Sequence, residues 1–140
     1  MLVIAAVRDN GYNFVLVLHI LSAIVAFSPA IATVVAPRAS ATGDDVVRTG
    51  RIVYAPALIL TGLLGVVLVL QSDEAWEFSD AWVSISFLGW IALVGVYQAL
   101  VIRGARAGGD AGRRQVVLGG QIVAVLAVVM VYLMVFKPGA

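Results

Sequence analysis

The stretch that decides the fold is 116–136, VVLGGQIVAVLAVVMVYLMVF, which contains no Asp, Glu, Lys or Arg. A helix needs about 20 mainly apolar residues to cross the roughly 30 Å of hydrocarbon in a membrane. Three further stretches meet this requirement, at about 12–36, 52–70 and 81–102, and they too lack charged side chains. The sequence therefore predicts four transmembrane helices.

The composition of the 140-residue chain supports lipid as its solvent. Apolar residues make up 62% of the chain and charged residues only 12%, whereas soluble domains are about half apolar and about a quarter charged. We expect one domain, 1–140, folded as an all-α bundle of four helices in a bilayer. The absence of cysteine excludes disulfides and thiolate chemistry. No basic face is visible, so a nucleic-acid partner is not expected.

The first ten residues precede the first predicted helix. Residues 1–7 are apolar, and Arg8 and Asp9 follow them. A secretory signal has the opposite order, with positive charge before the apolar run. We therefore expect 1–10 to be a short interfacial segment and not a cleaved peptide.

The arginines predict the orientation of the helices. Cytoplasmic loops of membrane proteins carry an excess of Lys and Arg. Only Arg8 and Lys137 lie on the side of the termini, where the loop between helices 2 and 3 is acidic. The sequence therefore predicts a multi-pass protein of the bacterial cytoplasmic (inner) membrane, with both termini on the outer side. We expect the second of the two cytoplasmic loops to be a flexible turn around 107–113. The two loops and their edges carry the other arginines: Arg38, Arg48, Arg51, Arg103, Arg106, Arg113 and Arg114.

Small residues recur on single faces of the predicted helices. Ser22, Ala26 and Ala30 repeat every four residues, and Gly62 and Gly65 lie in the second helix. Small side chains let membrane helices approach closely. The pattern predicts a compact bundle, and the same faces are candidate interfaces for another subunit or a second copy of the chain.

His19 is the only histidine and lies about 10 Å inside the outer boundary, counting 1.5 Å per residue from Tyr12. It shares a helix face with Ser22 and Ala26, so we expect it to point into the bundle. An ionisable side chain within a membrane span is a candidate functional residue. The structural alternative is a neutral imidazole that forms a hydrogen bond to a carbonyl or hydroxyl group across the bundle.

Met130 lies at about the same depth on the fourth helix, counted back from Phe136. A His/Met pair is a known axial ligand set of haem, so haem b is the candidate cofactor, held by His19 and Met130. Two His19 side chains from two protomers could serve equally. A methionine in an apolar helix also often just fills a gap. We predict no catalytic residues and no site for a free metal ion.

Several short motifs resemble those of a known group. The run Leu18-His19-Ile20-Leu21, the end of helix 1 at 36–38 and the tail 132–138 are similar to the CopD/HemJ-like superfamily. Within it they resemble the bacterial predicted integral membrane protein family, domain of unknown function twenty-two sixty-nine. HemJ-type relatives are protoporphyrinogen oxidases that bind haem through a helix-1 histidine, which His19 matches, and use a lysine in a later helix. Helices 2–4 here contain no lysine, so the resemblance implies the haem ligand without the oxidase activity.

Three functions follow from these observations. The first is a non-enzymatic accessory or scaffold subunit that docks on a larger membrane complex, for example a respiratory one, because no complete catalytic constellation is present. The alternative is a b-type haem redox protein that uses His19. A small permease is third, because the spans offer no polar path through the bundle.

Overall fold

The computed structural model describes residues 9–73 and 75–138. Within them the chain forms four long helices: α1 (Asn10–Val35), α2 (Asp44–Leu70), α3 (Ala81–Ala107) and α4 (Gly109–Phe136). Each has 26 to 28 residues, which span about 40 Å at 1.5 Å per residue. Each is also apolar enough to cross a membrane. The predicted all-α bundle with four spans is confirmed, whereas most of the segment expected at 1–10 lies outside the described residues.

α1 and α4 form the centre of the bundle. α2 packs mainly on α1 and α3 packs mainly on α4, and among the helices that lie side by side α2 and α3 contact each other least. Large apolar side chains on the outer faces, such as Ile24, Leu63 and Val128, are exposed. This is the arrangement expected where lipid surrounds the helices. Tyr12, Trp82 and Lys137 line one cavity, so we call this side the termini end and the opposite side the arginine end.

α2 begins earlier than the sequence predicted, at Asp44 and not near 52. Arg48 and Arg51 therefore lie in its first two turns and not in the loop. Gly43, with φ +114°, leads into this helix, and Asp44 and Asp45 occupy its first turn. Carboxylates there stabilise the positive end of the helix dipole. The apolar pattern of the sequence did not indicate that α2 begins at Asp44, because the first two turns of this helix are polar.

The prediction of a flexible turn around 107–113 is wrong. α3 continues to Ala107 and α4 begins at Gly109, so that Gly108 alone separates the two helices. Gly108 and Gly109 have φ +67° and +64°, a region that glycine adopts at little cost. A Cβ on Gly112 would overlap the carbonyl oxygen of Gly104. The two helices thus meet backbone to backbone directly after the reversal.

Shorter turns of unusual geometry lie near the arginine end. A 3₁₀ turn, Pro37–Ala39, follows α1. α2 and α3 contain π-helical turns at Gly50–Tyr54 and Tyr97–Ile102. In the first of these, the N–H of Ala55 donates to the carbonyl of Gly50, five residues back. The two π-turns lie close together. If Gly50 carried a Cβ, that atom would be 3.0 Å from the Tyr97 hydroxyl.

Candidate functional site

His19 points into the bundle, as predicted, with only 7% of its surface exposed. Its Nδ1 lies 2.8 Å from the carbonyl oxygen of Thr61 on α2. A carbonyl can only accept a hydrogen bond, so Nδ1 carries the proton and Nε2 is left as the nitrogen with a free lone pair. The Thr61 hydroxyl shares its one proton between the Ala57 carbonyl at 2.8 Å and Ser22 Oγ at 2.9 Å, and Ser22 donates to the His19 carbonyl at 2.8 Å. α1 and α2 therefore fix the imidazole ring.

The hydrogen bond to Thr61 fits both interpretations of His19. It is the bond expected of a structural histidine that crosses between helices. It is also the bond that ligating histidines make, because the nitrogen opposite the metal donates to a carbonyl or carboxylate and fixes the tautomer. The surroundings of Nε2 must therefore decide between them.

A cavity of about 340 Å³, which we call the His19 cavity, opens beside the imidazole. Its volume is within the range of small-molecule sites, about 300–1,000 Å³. All four helices contribute to its wall, and His19 and Met130 both line it. The two residues that the sequence proposed as a ligand pair thus face one space. Because His19 is enclosed by its own bundle, a ligand shared between two protomers is not favoured.

Two buried polar atoms in the wall of the His19 cavity have no hydrogen-bond partner in the described part of the chain. They are the indole Nε1 of Trp82 and the hydroxyl of Ser86, on residues that are 8% and 7% exposed. Buried donors without partners are rare and costly, by about 1–3 kcal/mol each. Both residues lie one helical turn apart on α3 and line the same space as His19. A bound molecule with acceptor atoms would satisfy them.

Lys137 is the one cation that lines the His19 cavity among residues 9–73 and 75–138. Lys137 follows the last residue of α4, and its Nζ lies 3.7 Å from the centre of the Trp76 ring. Partial burial lowers the pKa of Lys137. Trp76 in turn meets Trp82 edge to face, with 5.5 Å between ring centres. The cavity is therefore apolar at its sides and positively charged at its mouth.

The small residues proposed as docking faces lie inside the bundle. Ser22, Ala26 and Ala30 are buried. A Cβ on Gly62 would overlap the Trp90 ring, and one on Gly65 would lie 3.3 Å from Cε1 of His19. These residues bring the protein's own helices together and shape the His19 cavity.

Sequence reasoning missed the contribution of α3 to this site. Trp82 and Ser86 were not among the candidate residues, yet both line the His19 cavity. The signal was present as periodicity, because Trp82, Ser86 and Trp90 follow at intervals of four residues and share one helix face. Thr61 could not be foreseen, since its backbone carbonyl and not its side chain contacts the imidazole.

Comparison with known proteins adds no assignment. No family model, no curated protein and no solved structure matches this chain. The resemblance to the CopD/HemJ-like superfamily therefore stays a prediction. Within residues 9–73 and 75–138, no group of three or more His, Cys, Asp or Glu side chains could hold a metal ion.

Proposed function

We propose that this chain is a b-type haem protein of the bacterial cytoplasmic membrane, with the termini end facing outward and His19 as an iron ligand. The observation that carries the proposal is the fixed tautomer of His19 at the wall of a cavity that Met130 also lines. The bond to Thr61 leaves Nε2 as the nitrogen able to bind iron. A purely structural histidine would require no cavity beside it.

The other residues of the wall fit a haem. Met130, which is 6% exposed, offers a thioether as second ligand. Trp82 and Ser86 have unused donors, which could bond to a propionate carboxylate, the hydrogen-bond acceptor that the edge of a haem carries. Lys137 supplies a positive charge at the mouth, where carboxylate side chains of a haem would meet it. A haem bound here would supply one-electron transfer, while the chain's own residues orient it and exclude water.

Docking on a larger complex, the first function expected from the sequence, stays a prediction. Its expected surface was the set of small residues at Ser22, Ala26, Ala30, Gly62 and Gly65. The bundle uses these residues for its internal packing, so a partner would have to bind elsewhere. A partner that co-purifies in stoichiometric amount in mild detergent would support this function independently of haem.

The test of the haem proposal is the reduced-minus-oxidised visible spectrum of the protein purified in mild detergent after incubation with haem. The wild type should show a sharp b-type band. His19→Ala should bind less haem by at least about 10–100-fold, the loss seen when even a ligand's hydrogen-bond partner is removed. Circular dichroism and the elution volume in size exclusion should be unchanged.

Ser28→Ala is the matched control, since Ser28 lies on α1 and is exposed, and within the described part of the chain it bonds only to the Val25 carbonyl, at 2.8 Å. It should retain the full spectrum. A flat spectrum from haem-treated wild type, or an unchanged band in folded His19→Ala, would contradict the proposal and leave His19 as a structural residue.

A further inference from the structure

A second cavity, of about 370 Å³, lies at the arginine end of the bundle. We call it the Tyr97 cavity. It shares no lining residue with the His19 cavity. Alanines at 26, 30, 32, 39 and 41 leave the space open, since each has only a methyl group. Its polar lining consists of hydroxyl groups and one carboxylate, from Thr33, Ser40, Asp45, Thr49, Tyr54 and Tyr97.

Both π-helical turns border the Tyr97 cavity. Tyr54 ends the turn in α2 and Tyr97 begins the turn in α3, and both line the space. A π-turn interrupts the regular hydrogen bonds of a helix, and such turns are found frequently at functional sites. Here they place two aromatic rings in its wall.

The Tyr97 cavity has unused hydrogen-bonding capacity. The hydroxyl of Ser40 is buried without a partner in the described part of the chain. Among the described residues the only formal charge in the wall is that of Asp45. Hydroxyl oxygens accept hydrogen bonds, and aromatic faces attract cations. An anion would find no positive group in the wall, whereas a cation would find a carboxylate and two rings.

We propose that the Tyr97 cavity binds a small organic cation, an ammonium group attached to an apolar body. Asp45 pairs with the charge, the hydroxyl groups accept hydrogen bonds where the ammonium carries protons, and the alanine wall receives the apolar part. This site is independent of haem, because no residue lines both cavities.

The test uses three water-soluble probes of similar size: benzyltrimethylammonium, benzyl alcohol and phenylmethanesulfonate. Their binding to the purified protein in lipid nanodiscs is measured by saturation-transfer NMR, with empty nanodiscs as background. Benzyltrimethylammonium should bind, and the other two should not exceed the background. Asp45→Asn should weaken its binding about two- to fivefold, the usual contribution of an ion pair at an exposed carboxylate such as Asp45.

Asp44→Asn is the matched control, because it removes the same charge one residue away, outside the lining of the cavity. It should bind like the wild type, as should His19→Ala, which separates this proposal from the haem proposal. Equal binding of all three probes, preference for benzyl alcohol, or equal effects of Asp44→Asn and Asp45→Asn would overturn it.

Discussion

At the scale of the residue, Trp90 connects two helices that otherwise contact each other little. Its Nε1 donates to the Leu58 carbonyl at 2.8 Å, and its ring lies directly against Gly62. We expect Gly62→Ala to lower the free energy of unfolding by about 1–3 kcal/mol, the usual cost of overpacking. The measurement is unfolding in mixed micelles by added SDS, followed by tryptophan fluorescence.

Gly95→Ala is the control for this change. Gly95 lies in α3 and a Cβ there would have no atom within 4 Å. The substitution should leave the free energy of unfolding unchanged or raise it by up to about 1 kcal/mol, because alanine favours helix. Equal destabilisation by the two substitutions would show that Trp90 does not pack as described.

Some residues of the candidate site could be predicted from the sequence, and others could not. The inward direction of His19 followed from helical spacing, and the structure confirms it. The shared cavity of His19 and Met130 was suggested by depth along two helices. The contact with the Thr61 carbonyl was out of reach, because any residue can supply a carbonyl and only the packing of α1 on α2 selects one.

At the scale of the element, the junction between α3 and α4 depends on Gly108. Its φ of +67° and ψ of −172° lie in a region that is essentially restricted to glycine. We expect Gly108→Ala to lower the free energy of unfolding by about 1–3 kcal/mol, the cost of such backbone strain. The same SDS titration measures it.

Gly95→Ala again provides the comparison, since the added group is identical and the backbone there is helical. A Gly108→Ala variant as stable as Gly95→Ala would mean that the reversal between the helices does not need glycine.

The centres of the helices were predictable, whereas three of their ends were not: the start of α2, the end of α3 and the start of α4. Runs without charge identified all four spans, because lipid exposure requires apolar side chains over the whole hydrocarbon thickness. The first turns of α2 and α4 contain Asp and Arg. These charged residues lower the local hydropathy, so the sequence pattern there is typical of a loop. Outside the hydrocarbon a helix can continue with polar residues, so apolar runs do not mark where helices end.

At the scale of the whole molecule, the orientation proposed from the arginines can be tested in intact cells. The protein contains no cysteine, so single cysteines can be introduced without other changes. Ser79 at the termini end and Ala39 at the arginine end are both exposed. Ser79→Cys should react with a membrane-impermeant maleimide from outside, whereas Ala39→Cys should react only after the membrane is opened.

The reverse pattern would place both termini in the cytoplasm and would contradict the proposed orientation. Reaction of both variants in sealed cells would indicate a mixed population. Either cysteine should react fully once the membrane is dissolved in detergent, which controls for side-chain accessibility.

The single residue between α3 and α4 has a mechanical consequence. Gly108 is the only residue between the two helices, and their backbones are in contact at Gly104 and Gly112, so we expect this hairpin to move as one stiff arm. α1 and α2, tied by the His19 and Ser22 bonds, form the other arm. Among the helices that lie side by side, α2 and α3 contact each other least, so we expect the two arms to separate most easily along the seam between α2 and α3.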